Sequence, residues 1–302
     1  LGLMVWSHAG ECGPYNTKTT AGSNSCICGP TEVCACYLAM ATGDNNYYEI
    51  AKNLYAKQRQ YLYNPDNGHV YDSYSRYPEV SYNYWASTYN QGTFLGAAVM
   101  LYNHYGDAQY LNDAKKIADF AINNFCDETG CVKVCDTNNS DLDGFKGILT
   151  RYFRRYIIDM AYNDPSYLEW MQKNCMRVYN NRNSKGILFT GWNRKTDEST
   201  NYSAFGAGTG AALAMNTYIE KSRLIKDAFN KIEAEHFDYI KGLSAEYNSE
   251  DATQNLGGIQ NGHYVGFNNV NFGSSIAHSM VFRYSKSAGD DGIIEVHLDS
   301  PN

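Results

Sequence analysis

Asp290 and Asp291 are the only adjacent aspartates in the chain, and paired carboxyl groups are the usual equipment for general acid–base chemistry. They stand between Gly289 and Gly292, however, where a solvated hairpin turn accounts for them, and catalysis there is rejected. Asp141 and Asp143 precede Phe145 and could reach a cleft, yet acidic residues ahead of a helix ordinarily cap it and favour its dipole. Glu32, at the start of an earlier helix, has the same explanation. Tyr89, Asn90 and Gln91 form a polar cluster at the mouth of an otherwise apolar helix, which suits contacts to a hydroxyl-rich ligand; the plain alternative is a loop cap with Asn90 as N-cap. Lys146 begins a helix, where the dipole disfavours a cation, so it needs a partner such as a ligand oxygen or a carboxylate. Arg151 is read as a brace between helices. Trp6, Trp85 and Trp192 each fit a stacking platform or the core.

Composition narrows the classes. The 302 residues allow about two domains, and 43% hydrophobic content supports a core in each. With 25 basic against 32 acidic side chains, the formal charge of −7 argues against nucleic acid or an anionic membrane as partner. No stretch has the roughly 18 consecutive apolar residues of a membrane helix. Leu1 to Trp6 lack the pattern of a signal peptide, so any export signal is expected to be already removed. The 27 tyrosines suit sugar surfaces, because the ring has an apolar face and a hydroxyl tip. The 9 cysteines pose a choice between zinc and disulfides. Cys34 and Cys36 would point to different sides of one helix, which disfavours a shared ion, so disulfides in a secreted protein are expected, with at least one thiol left over.

A repeat orders the elements that must position these residues. Gly43-Asp44, Tyr47 and Ala51-Lys52 recur 63 residues later as Gly106-Asp107, Tyr110 and Ala114-Lys115, and Asp164 with Tyr167-Leu168 follows 57 residues after Asp107 with Tyr110-Leu111. Each copy reads as a helical hairpin, with glycine ending one helix in the first two copies and aspartate starting the next in all three. Apolar spacing predicts helices near 30–42, 45–62, 91–105, 108–125, 144–162, 165–180 and 203–221. Beyond about residue 230, Met280, Phe282 and Tyr284, then Ile294, Val296 and Leu298, alternate with polar residues as half-buried strands do, with turns at Asn261-Gly262 and Asp291-Gly292. Residues 1–225 and 231–302 are therefore separate domains.

The run Tyr89-Asn90-Gln91-Gly92-Thr93-Phe94-Leu95-Gly96-Ala97-Ala98, with Leu101-Tyr102, Gly106-Asp107, Tyr110-Leu111 and Ala114, resembles the signature of glycoside hydrolase family 76, as does Phe145-Lys146-Gly147-Ile148 with Arg151-Tyr152. Trp6, Lys18 and Gly29-Pro30 resemble the family's upstream stretch, although Cys28 stands where asparagine is usual. The resemblance implies an (α/α)6 toroid, here without its first helices, acting on α-1,6-linked mannan. It implies that Trp6, Trp85, Tyr89, Asn90, Gln91, Phe145, Lys146 and Trp192 line the sugar groove, with Gln91 and Lys146 facing inward. Ile232-Glu233-Ala234-Glu235, Asn261-Gly262-His263-Tyr264-Val265, Val270-Asn271-Phe272-Gly273 and Ile294 to Pro301 resemble family 6 carbohydrate-binding modules. That implies a β-sandwich (jelly roll) with a structural calcium, for which Glu233 and Glu235 would supply oxygens. Gly258 takes the place of a tyrosine common on that family's binding face.

Glycoside hydrolysis requires two carboxyl groups astride the scissile bond. The family supplies them as adjacent aspartates that would lie upstream of Leu1, so the catalytic residues are unassigned here. The expectation is a secreted hydrolase using neither redox cofactor nor catalytic metal, its half sandwich completed by residues beyond Asn302 or covered by a partner or another copy. The rival is a non-catalytic glycan-binding or structural extracellular protein on the same fold; a helical-repeat scaffold that binds protein is a third reading.

Overall fold

The computed structural model describes residues 2–4, 22–75, 79–198, 201–219, 225–248, 253–285, 289 and 292–298. Trp6, Cys12, Lys18 and the Asp290-Asp291 pair lie outside them. The chain divides into two units, residues 1–39 with 43–220, and residues 221–302 with 40–42.

In the first unit a short strand β1 (Ser23–Asn24) leads into α1 (Ser25–Thr42) and α2 (Asn46–Tyr61). Four short strands follow, β2 (Tyr63–Asn64), β3 (His69–Val70), β4 (Ser73–Ser75) and β5 (Ser81–Asn83). Then come α3 (Thr88–Tyr105), α4 (Ala108–Phe125), α5 (Phe145–Asp159), α6 (Pro165–Asn180) and α7 (Ala204–Thr217). The repeat marks real turns. Gly43 and Gly106 end α1 and α3 with φ of 70° and 68°, the left-handed conformation glycine adopts without strain. Asp107 and Asp164 cap α4 and α6 through the backbone N–H groups of Gln109 and Ser166, and Asp44 accepts from Asn46 at the start of α2.

Two helices start earlier than their spacing suggests. α1 begins at Ser25 and carries Pro30 inside, losing one ladder bond near its start rather than beginning after the proline. Glu32 is consequently two turns into α1 and cannot cap it. α3 begins at Thr88 because Ser87 is the N-cap, accepting from the Asn90 N–H at 3.0 Å, so Asn90 is not the cap.

Ring contacts fix the helix directions. Tyr48 meets His104 while Tyr55 meets Phe94, so α2 runs against α3. Phe153 meets Trp170 and Tyr156 meets Tyr167, so α6 runs against α5. α3 and α5 instead run in the same direction, since a Cβ on Gly92 would lie 2.8 Å from the Leu149 Cα and one on Gly96 would lie 2.2 Å from the Tyr152 ring. Those two glycines allow backbones to approach where any side chain would intervene. Gly147 meets Thr209 and Thr150 accepts from the Asn216 amide, so α7 runs in the same direction as α5, while Gly29 of α1 meets Thr93 of α3. α3 is buried nearly all round, the property of a central helix. The connections 43–45, 106–107 and 160–164 are short, whereas 62–87, 126–144 and 181–203 are long, and this alternation gathers all the long ones at the starting ends of α3, α5 and α7.

The second unit contains β6 (Lys226–Asp227), β7 (Tyr239–Lys241), β8 (Ser244–Asn248), β9 (Thr253–Gly257), β10 (Tyr264–Gly266) and β11 (Val270–Asn271). They form separate two-stranded ladders, β8 with β9 and β10 with β7 antiparallel, β11 with β6 parallel. The alternating segments around Met280 and Val296 form no strand among the described residues. Met280, Tyr284, Ile294 and Leu298 are exposed. A period of two selects which side chains share a face, but a strand also needs a neighbouring edge, and none pairs with these segments.

Candidate functional site

The starting ends of α1, α3, α5 and α7 are locked together by hydrogen bonds that cross the long connections. Ser25 donates through its N–H to the Asp72 carbonyl at 2.9 Å and through its hydroxyl to the Tyr71 carbonyl at 2.6 Å. Gln91 is fully buried: its amide nitrogen donates to the carbonyls of Gly68 at 2.6 Å and Ile117 at 3.0 Å, and its amide oxygen accepts from the Val70 N–H at 3.2 Å. Lys146 is fully buried as well, and its ammonium donates to the carbonyls of Val132 at 3.0 Å and of Thr190, beside the Trp192 ring. Burial lowers the Lys146 pKa from 10.5 to about 8, against the opposing pull of Asp136.

Every polar bond described for Gln91 and Lys146 goes to the protein backbone, so both residues hold the loops of the face. The partner that the helix dipole demands for Lys146 is a pair of carbonyls. Trp192 is 1% exposed and donates to the Thr209 hydroxyl at 3.3 Å, which makes it core, not platform. Asn90 is buried, with its amide nitrogen 3.4 Å from an Asp72 carboxylate oxygen. Trp85 is 44% exposed and remains available for stacking.

Asp143 belongs to the same lock. It accepts from the Ser203 hydroxyl, the Thr137 hydroxyl and the N–H groups of Asn139 and Ser140 at 2.6–3.3 Å. Burial opposes its charge, but these four donors outweigh it and hold the carboxyl below its ordinary value. It completes a capping box with Ser140 on the 3-10 turn Asp141–Gly144, whereas α5 itself has Gly144 as N-cap and no side-chain cap, so the acidic residues stabilise the turn and not the helix start. Asp136 pairs with Arg194 through both carboxylate oxygens.

What stays open on this face is a smaller group. Tyr89 and Phe145 are half-buried, and their rings meet at 4.9 Å where α3 and α5 begin. Beside them the Cys26 thiol is pushed up to about 11 by burial, with the Asp72 and Asp141 carboxylates adding to the shift. Asp72 is tied to the starts of α1 and α3 through its bonds to Ser25 and Asn90. Asp141 is exposed, and Asp72 is half-buried and accepts from the Asn83 amide at 3.1 Å. Asp72 and Cys26 carry no sequence signal for this role; only the crossing of connection 62–87 over the start of α1 brings them here. Nearby, connection 181–203 borders a cavity of about 420 Å³ lined by Asn183, Lys185, Glu198, Asn201 and Tyr202.

Glu32 is buried without a hydrogen-bond partner on either oxygen, and burial raises its pKa well above the ordinary value. The expected disulfides are not formed: all eight described cysteines are free thiols. Cys28 and Cys36 are fully buried small core residues whose pKa burial raises to about 12, while Cys34 is exposed. Glu233 pairs with Lys231 at 2.5 Å, and no group of three or more His, Cys, Asp or Glu side chains gathers as a metal site among the described residues. No described helix is long and apolar enough to cross a membrane.

Two family models match the chain and overlap over residues 233–257. The model of glycosyl hydrolase family 76 matches residues 4–257, and that of carbohydrate-binding module family 6 matches residues 233–302. No curated protein matches the chain. Among solved structures, the GH76A α-1,6-mannanase of Salegentibacter sp. HEL1_6 is 28% identical with a TM-score of 0.60, over 69% of this chain and 61% of that one. An inactive variant of that enzyme, with two adjacent aspartates replaced by asparagine and α-1,6-mannotriose bound, is 29% identical with a TM-score of 0.60 over the same shares. The Lin0763 protein of Listeria innocua is 27% identical with a TM-score of 0.57, over 65% of this chain and 55% of that one. The chain thus spans about six tenths of the length of those two mannanase structures. On the match across residues 4–257, the chain belongs to glycosyl hydrolase family 76.

Proposed function

We propose that this protein is a secreted glycoside hydrolase of α-1,6-linked mannan, carrying a carbohydrate-binding module in its second unit. Its helices form part of an (α/α)6 ring, and the glycan lies across the face where the long connections gather. The observation that carries this reading is the concentration of those connections at the starting ends of the parallel helices, with Tyr89, Phe145, Asp72 and Asp141 left open between the Gln91 and Lys146 locks. Half-buried rings would take the apolar faces of sugar rings, and the carboxylates would accept from sugar hydroxyls. Identity to an α-1,6-mannanase supports the linkage.

Hydrolysis requires an acid and a base or nucleophile on opposite sides of the bond. The rival reading is a protein of the same fold that binds glycan without cleaving it. Incubating the purified chain with α-1,6-mannan separates the two. Release of reducing ends establishes the hydrolase; retention on immobilised mannan without release establishes the binding protein. Neither binding nor release on α-1,6-mannan overturns both.

A further inference from the structure

Connection 62–87 carries a chain of tyrosines that climbs from the core into solvent. At its base Tyr74 is 6% exposed and packs with Cys28, Leu54 and Leu62. β4 and β5 pair with Tyr74 opposite Tyr82, so the two rings share a face of the sheet, 5.0 Å apart. Tyr84, two residues further on, lies nearly parallel to Tyr82, with 5.6 Å between ring centres and 13° between planes. Tyr71 stands edge-on to Tyr84 at 4.7 Å and to Tyr82 at 6.0 Å, and Tyr61 supports Tyr74 from behind at 5.1 Å. The outer rings stay in water: Tyr82 is 37% exposed, Tyr84 58% and the adjoining Trp85 44%.

Exposed aromatic side chains usually lose rotamer freedom when a ligand orders them. Here the stack beneath has already fixed Tyr82 and Tyr84, so binding an apolar face costs little further order. The surroundings are polar rather than greasy. The Asn83 amide nitrogen is held by Asp72 at 3.1 Å and its amide oxygen by the Trp85 N–H at 3.0 Å, and Ser73, Ser75 and Ser81 share the two strands. Rigid rings with hydroxyl tips and an amide and hydroxyl rim match a ligand with alternating C–H faces and hydroxyl edges, which is a neutral pyranose. A lipid surface would meet no basic residue in this set of side chains. The ledge also adjoins the face described above, because Trp85 runs directly into Ser87, the cap of α3, and Asp72 serves both.

We infer that Tyr82 and Tyr84, backed by Tyr71 and Tyr74, form an accessory platform that stacks on hexopyranose rings of the glycan beyond those at the start of α3 and α5. This rests on the glycan reading of the face and extends it outward along connection 62–87.

Affinity electrophoresis of the full chain in gels containing α-1,6-mannan tests it, with α-1,6-mannotriose titrated in parallel. Replacing both outer rings, Tyr82→Ala with Tyr84→Ala, should weaken retention by mannan about tenfold or more. Tyr82→Phe with Tyr84→Phe should stay within about twofold, since the stacking faces survive. Tyr84→Ser alone, at the most exposed ring, supplies the same measurement if the double alanine variant fails to fold, which its urea midpoint reports. Mannan retention equal in wild type and ring variants overturns the platform while leaving the glycan reading intact. A wild-type chain retained by no mannan overturns both. If the ring variants change only the oligomeric state on size exclusion, the ledge joins copies of the chain and the platform is refuted.

Discussion

Two locks hold opposite sides of the same face, and they are chemically unlike. On one side Gln91, in the first turn of α3, ties connection 62–87 to α4 with a neutral amide. On the other Lys146, in the first turn of α5, ties connections 126–144 and 181–203 together with an ammonium. Both satisfy buried backbone groups, and leaving such a group unpaired costs about 1–3 kcal/mol. The amide does so without charge. The ammonium sits at a helix start, where the dipole opposes it, and burial drags its pKa to about 8. One lock is therefore indifferent to pH, and the other is not.

Deleting each lock measures the contrast. Lys146→Ala removes the ammonium donor from the Val132 carbonyl, leaves Thr190 with the Trp192 N–H alone and empties a fully buried volume beside Trp192, so it should destabilise the first unit by about 4 kcal/mol. Gln91→Leu keeps most of the volume and takes the side-chain partner from the Gly68 carbonyl and the Val70 N–H, while Ile117 keeps its place in the α4 ladder, for a smaller loss of about 3 kcal/mol. Urea unfolding followed by tryptophan fluorescence reads both, because Trp192 reports the Lys146 side directly. A Lys146→Ala variant as stable as wild type would mean that water replaces the ammonium and that the lock is dispensable.

The contrast also explains what the sequence discloses. Gly43, Gly106, Asp107 and Asp164 were legible because a helix end is a local event, settled by residues within a turn of one another. The apolar stripes of α4 and α5 were legible for the same reason. Gln91 and Lys146 were legible as residue types only. The sequence marks a lysine at a helix start as needing a partner, but Thr190 lies 44 residues away and Val132 14, and nothing local says that carbonyls rather than a ligand receive the proton. Trp85 and Trp192 look alike in sequence and differ wholly in burial. The starts of α1 and α3 were misplaced because Pro30 reads as a boundary and Asn90 as a cap, whereas Ser25 and Ser87 begin those helices. The alternation near Met280 and Val296 suggested strands whose partners the pattern cannot specify.

A difference in pH response sharpens the comparison further. In the unfolded chain Lys146 titrates near 10.5, and in the folded one near 8. Below about 8 both states hold the proton and the cost of burying the ammonium is present in full. Between about 8 and 10.5 the unfolded chain retains the proton that the folded chain has released, so this residue's contribution becomes more favourable as pH rises. A neutral amine still has two N–H groups for its two carbonyls. Burial raises the pKa of Cys26, Cys28 and several tyrosines, and those groups push stability the opposite way, so the useful quantity is a difference between variants. Wild type should gain about 2 kcal/mol over Lys146→Met between about pH 8 and about pH 9.5, and Gln91→Leu should show the wild-type slope. Equal slopes in all three would place the titration of Lys146 outside this range.

The smallest effect concerns how each helix is capped. α3 is capped by the Ser87 hydroxyl alone, accepting from Asn90 at 3.0 Å, while the turn before α5 has Ser140 and the four-donor Asp143. Ser87→Ala removes one acceptor from a buried N–H and should cost about 1 kcal/mol. The loss should fall on one side of the face. Ser87 and Gln91 share the first turn of α3, and the Gln91 N–H donates to the Ser87 carbonyl at 3.1 Å, so fraying there loosens the hairpin of β2 and β3 that Gln91 holds. Amide hydrogen exchange should therefore rise at Gly68 and Val70 and stay at wild-type rates at Asn139 and Ser140. Faster exchange on both sides would show that the two locks open together and that the chemical contrast between them has no mechanical counterpart.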